Sequence, residues 1–183
     1  MSSQDLSTAL SPRSFAIRFG IILLATIGFF ALFVGTQGLA VVGGMIAHSR
    51  IHMPNLGLIA EAPLAIRIHL ATVVAALVLA TVQMVGPKGR TFHRVLGWTL
   101  AILLVTTAVA ALFIRNPLGG FFNPFQVFVV WTLIAVPWGV LAARSHNVRR
   151  HARLMTGMYF GGLVVAGALT FLPGRLMWRV FFG

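Results

Sequence analysis

Five stretches of twenty or more residues without Asp, Glu, Lys or Arg occupy most of this chain: Phe19–Ser49, Ile68–Pro87, Val95–Ile114, Asn116–Ala143 and Leu154–Gly174. A helix needs roughly 20 apolar residues to cross the hydrocarbon core of a bilayer, so each stretch is long enough for one crossing. The rest of the composition agrees. Of 183 residues 58% are hydrophobic and 9% charged, where a typical soluble domain carries about 25% charge. A soluble fold could not cover its surface with so few charges. The chain therefore reads as an all-α integral membrane protein, a bundle of five transmembrane helices.

The expected spans are about 19–44, 68–87, 95–114, 124–143 and 154–174, with residues 1–14 as a flexible polar tail and 15–183 as one helical-bundle domain. In the first, Gly35, Gly38, Gly43 and Gly44 predict fraying before His48. In the fourth stretch, Asn116-Pro117-Leu118-Gly119-Gly120 reads as a loop, so the helix starts near Pro124, and Pro137 should bend it. The first apolar run is too long for a signal peptide, whose hydrophobic region spans about 7–15 residues, and is read as a retained helix.

Fourteen Lys and Arg face only two carboxylates, Asp5 and Glu61. The basic residues fall between apolar runs, where they orient helices against anionic lipid headgroups. This placement leaves no basic face for nucleic acid. With five spans, Arg13, Arg18, Lys88, Arg90, Arg94, Arg144, Arg149, Arg150 and Arg153 share one side, nine against the five of Arg50, Arg67, Arg115, Arg175 and Arg179. The positive-inside rule then places the N-terminus in the cytoplasm and the C-terminus outside, in a multi-pass protein of a bacterial inner membrane.

Several chemistries lack their residues. There is no Cys, which removes thiol redox chemistry, thiolate zinc sites and iron–sulfur clusters. No carboxylate lies inside a span, whereas ion-coupled transporters depend on them, and no Ser-His-Asp set or phosphate loop is present. The balance leans away from an enzyme.

Polar and small residues on a membrane helix mark the face turned toward protein. In the second span His69, Thr72, Ala76, Ala80 and Gln83 form one stripe; in the third, His93, Gly97, Thr107 and Ala111; in the fifth, His151, Met155, Met158, Gly162 and Ala166, with Gly157 and Gly161 beside it as a close-approach pair. The histidines carry the only obvious chemistry. His69 and His93 stand 24 residues apart, about 36 Å along a helix, too far to share one ligand. His93 and His151 open the third and fifth spans at the same depth, as a bis-histidine haem requires. Arg94 and Arg153 beside them suit haem propionates. His69, Thr72 and Gln83 would suit a quinone. His48, His52 and Glu61 in the loop before His69 are weak metal candidates. Against these stands the ordinary role of an interfacial His, which is to cap a helix or bond a loop carbonyl. His146 reads as solvated.

His69, then Gln83-Met84-Val85-Gly86-Pro87, then His93-Arg94-Val95-Leu96-Gly97, and late in the chain His151-Ala152-Arg153-Leu154-Met155 together resemble a family of bacterial integral membrane proteins described as domain of unknown function two-three-zero-six. The likeness runs from about Ile68 to Arg175. It implies membrane placement and a helical bundle, and it implies no reaction. The arrangement of histidines at both ends is also similar to two-haem b-type cytochromes in outline only.

Two functions follow as expectations. The first is a small haem b (or quinone) protein of membrane electron transfer, with His93 and His151 as axial ligands. The second is a non-catalytic accessory subunit of a larger membrane complex, suggested by short loops, glycine-rich spans and the interfacial aromatic run Trp178-Arg179-Val180-Phe181-Phe182.

Overall fold

The computed structural model describes residues 40–114 and 125–183, together with the isolated residues 17, 20, 21, 24 and 28. The chain divides into two compact units, residues 1–48 and 49–183. The expected first span lies mostly outside the described residues, as does the expected Asn116–Gly120 loop. In the first unit residues 40–47 are helical. That helix runs through Gly43 and Gly44, so the predicted fraying does not occur there. His48 closes it, its Nδ1 lying 2.8 Å from the Gly44 carbonyl.

The regular elements among the described residues of the second unit are all helices. A short α1 (Gly57–Ala60) precedes four long helices: α2 (Leu64–Val85), α3 (Thr91–Leu112), α4 (Gln126–Arg144) and α5 (Val148–Leu169). A six-residue α6 (Leu176–Phe181) follows. Among the described residues, α2 to α5 are the helices long and apolar enough to cross a bilayer.

The ends of these helices have local causes. Pro63 at the N-cap starts α2, and extended Gly86 followed by Pro87 stops it, since a proline disfavours helical geometry in the residue before it. A Cβ on Gly86 would lie 2.8 Å from the Val82 carbonyl oxygen, so glycine suits this exit. Gly89 completes the turn at φ 77°. Asn147 begins α5 by accepting the Arg150 backbone N–H at 3.0 Å. The helices α2, α3 and α5 start four to six residues before the spans expected from charge alone. Arg67 and Arg94 lie in the first turns of α2 and α3 and Arg153 in the second turn of α5, because long basic side chains snorkel toward headgroups while their backbone stays helical.

The long helices pack as a ring: α2 on α3, α3 on α4, α4 on α5, and the middle of α5 back on α2. The centre is small. Ala76 and Ala135 are fully buried, and Ala80, Leu100, Leu104, Val136, Met158 and Leu163 surround them. Large side chains such as Trp98, Ile102, Trp131 and Leu141 point outward. This distribution suits lipid, where association depends on close packing of small residues rather than on expulsion of water. Pro137 lies inside α4 as expected, removing the N–H that would bond to the Leu133 carbonyl.

The fifth span is not a continuous α-helix. Met158–Val165 forms a π-helical segment between two α-helical pieces. Each π turn takes in an extra residue, so the buried face moves from Met158 to Leu163, five residues on. The stripe expected through Gly162 and Ala166 is rotated by that residue. Tyr159 reaches α2, its hydroxyl 3.1 Å from the Thr81 hydroxyl.

One end of the bundle is covered by the segment before α2 and by α6. Backbone N–H groups of Arg50, His52 and Asn55 donate to the carbonyls of Phe182, Phe181 and Val180 at 3.2, 3.1 and 3.0 Å. Val180 is fully buried, and Phe171, Trp178, Phe181 and Phe182 stack on one another. The aromatic run read from sequence as an interfacial anchor thus also holds a cap within its own chain. Arg175 stands over the Phe125 ring at 4.2 Å, and burial holds its guanidinium below the usual arginine range.

Candidate functional site

At the end of the bundle opposite the α6 cap, the first turns of α3 and α5 bring His93 and His151 together. Their ring centroids are 6.3 Å apart and their planes lie at 85°. A neighbouring helix bonds to each residue, at the backbone of His93 and at the ring of His151. The Gln83 side-chain amide on α2 donates to the His93 backbone carbonyl at 3.1 Å, fixing the start of α3 against the end of α2. On the other side the Gly139 carbonyl of α4 accepts a 2.9 Å hydrogen bond from His151 Nδ1. A backbone carbonyl is only an acceptor, so Nδ1 of His151 is the donor in this bond.

His93 is different. Its Nδ1 is buried and has no hydrogen-bond partner among the described residues. Buried polar atoms are paired in the great majority of folded proteins, so this one marks an incomplete site. Arg94 and Arg153 follow the histidines by one and two residues and are exposed.

Side chains fill the space beside two glycines here. A Cβ on Gly139 would collide with Met155 Cε and lie 3.8 Å from Leu154 Cβ. On α3, a Cβ on Gly97 would come within 3.3 Å of Gln83 Nε2. Gly97 was legible as an inward residue, whereas Gly139 was not singled out. A single glycine in the apolar run Val136-Pro137-Trp138-Gly139-Val140 is the signal that could have found it. Gly157 and Gly161, expected to be a contact pair, have open space where a Cβ would go.

His69 belongs to a separate place. It lies fourteen residues before Gln83 on α2, about 21 Å by helical rise, and its Nδ1 donates to the Thr107 carbonyl at 2.9 Å. Thr107 in turn donates to the Thr72 hydroxyl at 2.8 Å, and Thr72 contacts the Ile68 and His69 carbonyls at 2.8 and 3.1 Å. The chain of bonds ties α2 to α3. Gln83 and His69, expected together at a quinone, are therefore far apart.

The outer metal candidates do not gather. Among the described residues no group of three His, Asp or Glu side chains is placed to hold a metal ion. The helix ends at residue 47, so His48 and His52 lack the helical i, i+4 relation their spacing suggested. His52 sets Nδ1 2.8 Å from the Met53 carbonyl and Nε2 2.8 Å from the Gly183 backbone oxygen. His146 is exposed, as expected, and has a left-handed backbone at φ 57°.

No match was found among curated proteins or among solved structures. A family model does match, over residues 66–182, from the first turn of α2 to the end of the cap. It takes in the paired histidines, the π segment and Gly139 alike, and on that extent the chain belongs to DUF2306, a family described as predicted membrane protein.

Proposed function

We propose that this protein is a small membrane cytochrome in which His93 and His151 are the axial ligands of one b-type haem. The observation that carries the reading is the 6.3 Å separation of the two rings. Two imidazoles this close, on different helices, would be able to hold one haem iron between them. The Gly139 carbonyl supports it further: a ligating imidazole usually donates its other N–H to a carbonyl or carboxylate, which sets tautomer and orientation. The unpartnered Nδ1 of His93 is a second mark of an incomplete site.

When bound, haem would supply one-electron transfer. The chain's own residues would hold it: the Gly139 bond orients the His151 ring, and Arg94 and Arg153 lie where propionates would meet charge. Seven basic residues, Lys88, Arg90, Arg94, Arg144, Arg149, Arg150 and Arg153, lie at or beside this end, in the α2–α3 and α4–α5 turns and the helix starts they lead into. Under the positive-inside rule that end is cytoplasmic. With a fifth span from residues 19–44 the N-terminus would also be cytoplasmic, in a bacterial inner membrane containing anionic lipid.

The experiment is an absorption spectrum of detergent-solubilised protein made with haem supplied, oxidised in air and then reduced with dithionite. The expected result is a Soret band that shifts on reduction and is lost in both His93→Ala and His151→Ala. A featureless spectrum, or a band that survives both substitutions, sinks the reading.

A further inference from the structure

A second site lies beside the α4–α5 turn, on the face of α4 that carries Trp138 and Leu141. A groove of about 360 Å³ is lined by Trp138, Leu141, Ala142, Ser145, Asn147 and Arg150, within the roughly 300–1,000 Å³ of small-molecule sites. We propose that this groove binds the phosphate of an anionic phospholipid, with the acyl chains continuing along α4.

The lining is graded along the helix. Trp138, Leu141 and Ala142 belong to the apolar span, while Ser145, Asn147 and Arg150 form the rim. That order matches the order of groups in a phospholipid from acyl chains to headgroup. The Arg150 guanidinium stands 5.4 Å from the centre of the Trp138 ring, a cation–π contact that holds a flexible side chain over the groove mouth. Tryptophan is also the residue type that settles at headgroup depth. Asn147 uses its side-chain oxygen to cap α5, which leaves its amide as a donor, and guanidinium and amide together are a phosphate-binding set.

Among the described residues no carboxylate supplies the countercharge at this end. The whole sequence has two carboxylates, Asp5 and Glu61. Glu61 lies in the capping segment before α2, at the other end of the bundle, and among the described residues no carboxylate pairs with Arg150. Arg144, Arg149 and Arg153 are exposed on the same turn and helix starts, so they raise the local potential without lining the groove. A zwitterionic headgroup would bring its own cation into this positive field; an anionic one would not. The site is independent of the His93–His151 pair, since none of its lining residues is a proposed haem ligand.

Native mass spectrometry of the full chain released from detergent, with phosphatidylglycerol or phosphatidylcholine of identical acyl chains, tests this. Wild type should retain phosphatidylglycerol at least about five-fold over phosphatidylcholine. Arg150→Gln should reduce that ratio to near one, Trp138→Leu should weaken it, and Arg149→Gln, which removes the same charge one residue away, should leave it intact. Equal losses in Arg150→Gln and Arg149→Gln would show diffuse surface attraction and overturn the site, as would a wild type without preference. Displacement of the lipid by millimolar inorganic phosphate would reassign the groove to a free anion. The readout is bound mass rather than colour, so it stands or falls separately from haem.

Discussion

The carbonyl of Gly139 and Nδ1 of His151 are 2.9 Å apart across the α4–α5 contact, and the end of Met155 fills the space beside Gly139. A methyl group there would meet Met155 Cε. Cε is the mobile end of the Met155 side chain, so Gly139→Ala should cost no more than about 1 kcal/mol, the low end of overpacking. Met155 is flexible, so Gly139→Ala combined with Met155→Ala should recover part of that loss. Thermal unfolding in detergent gives both values. Equal stability of wild type and Gly139→Ala would show that the helix contact yields without cost.

His69 should prove to be a strut. Its bond to the Thr107 carbonyl and the Thr107–Thr72 bond join α2 to α3. Interhelical hydrogen bonds in membranes average about 0.6 kcal/mol and reach about 1.7. His69→Ala and Thr107→Val should each lower stability within that range, and their combination should lose less than the sum because they share one network. Neither should abolish a haem spectrum. Loss of the spectrum in His69→Ala with the fold intact would move the ligand set.

The α4–α5 turn contains a strained residue next to a helix cap. His146 pays for a left-handed backbone, a cost of roughly 1–2 kcal/mol for a residue with a side chain. His146→Gly should be neutral or stabilising by up to about 1 kcal/mol, once the greater freedom of glycine in the unfolded chain is subtracted. Asn147→Ala should cost about 1 kcal/mol through loss of the α5 cap. The two measured effects should have opposite signs or, at the least, differ by that amount.

The cap at the other end depends on Val180, which has no exposed surface. Val180→Ala should cost about 1–3 kcal/mol by opening a cavity. Hydrogen exchange gives a sharper readout, because the amides of Arg50, His52 and Asn55 are protected by the carbonyls around Val180. Their protection should fall more than that of amides in α3. Uniform loss across the bundle would mean that cap and bundle open together.

How much of this was legible follows from where each feature is written. The inward stripes on α2 and α3 were legible because polar and small residues recur at helical spacing: His69, Thr72, Ala76, Ala80 and Gln83 all face inward to some degree. The convergence of His93 and His151 was legible because both open spans on one side of the bilayer. The ends of the spans were misplaced where charge was taken as a boundary, since Arg67 and Arg153 ride inside helices. The cap was illegible because it is made by backbone groups of residues 50–55 and 180–182, which leave no mark on side-chain pattern. The π segment was illegible for a similar reason. It is a change of hydrogen-bond partner over Met158–Val165, with ordinary apolar residues on both sides of it.

That segment has a mechanical consequence. A residue advances the helix face by about 100°, and the surplus residue in α5 lets its two halves be phased separately: His151 and Met155 toward α3 and α4, Leu163 and Leu169 toward the rest of the core. The helix is in effect two pieces joined by a slipped gear tooth. Deleting one residue between Met158 and Val165 would close the gear into a uniform α-helix, and one half would then have to turn its packed side chains out into lipid.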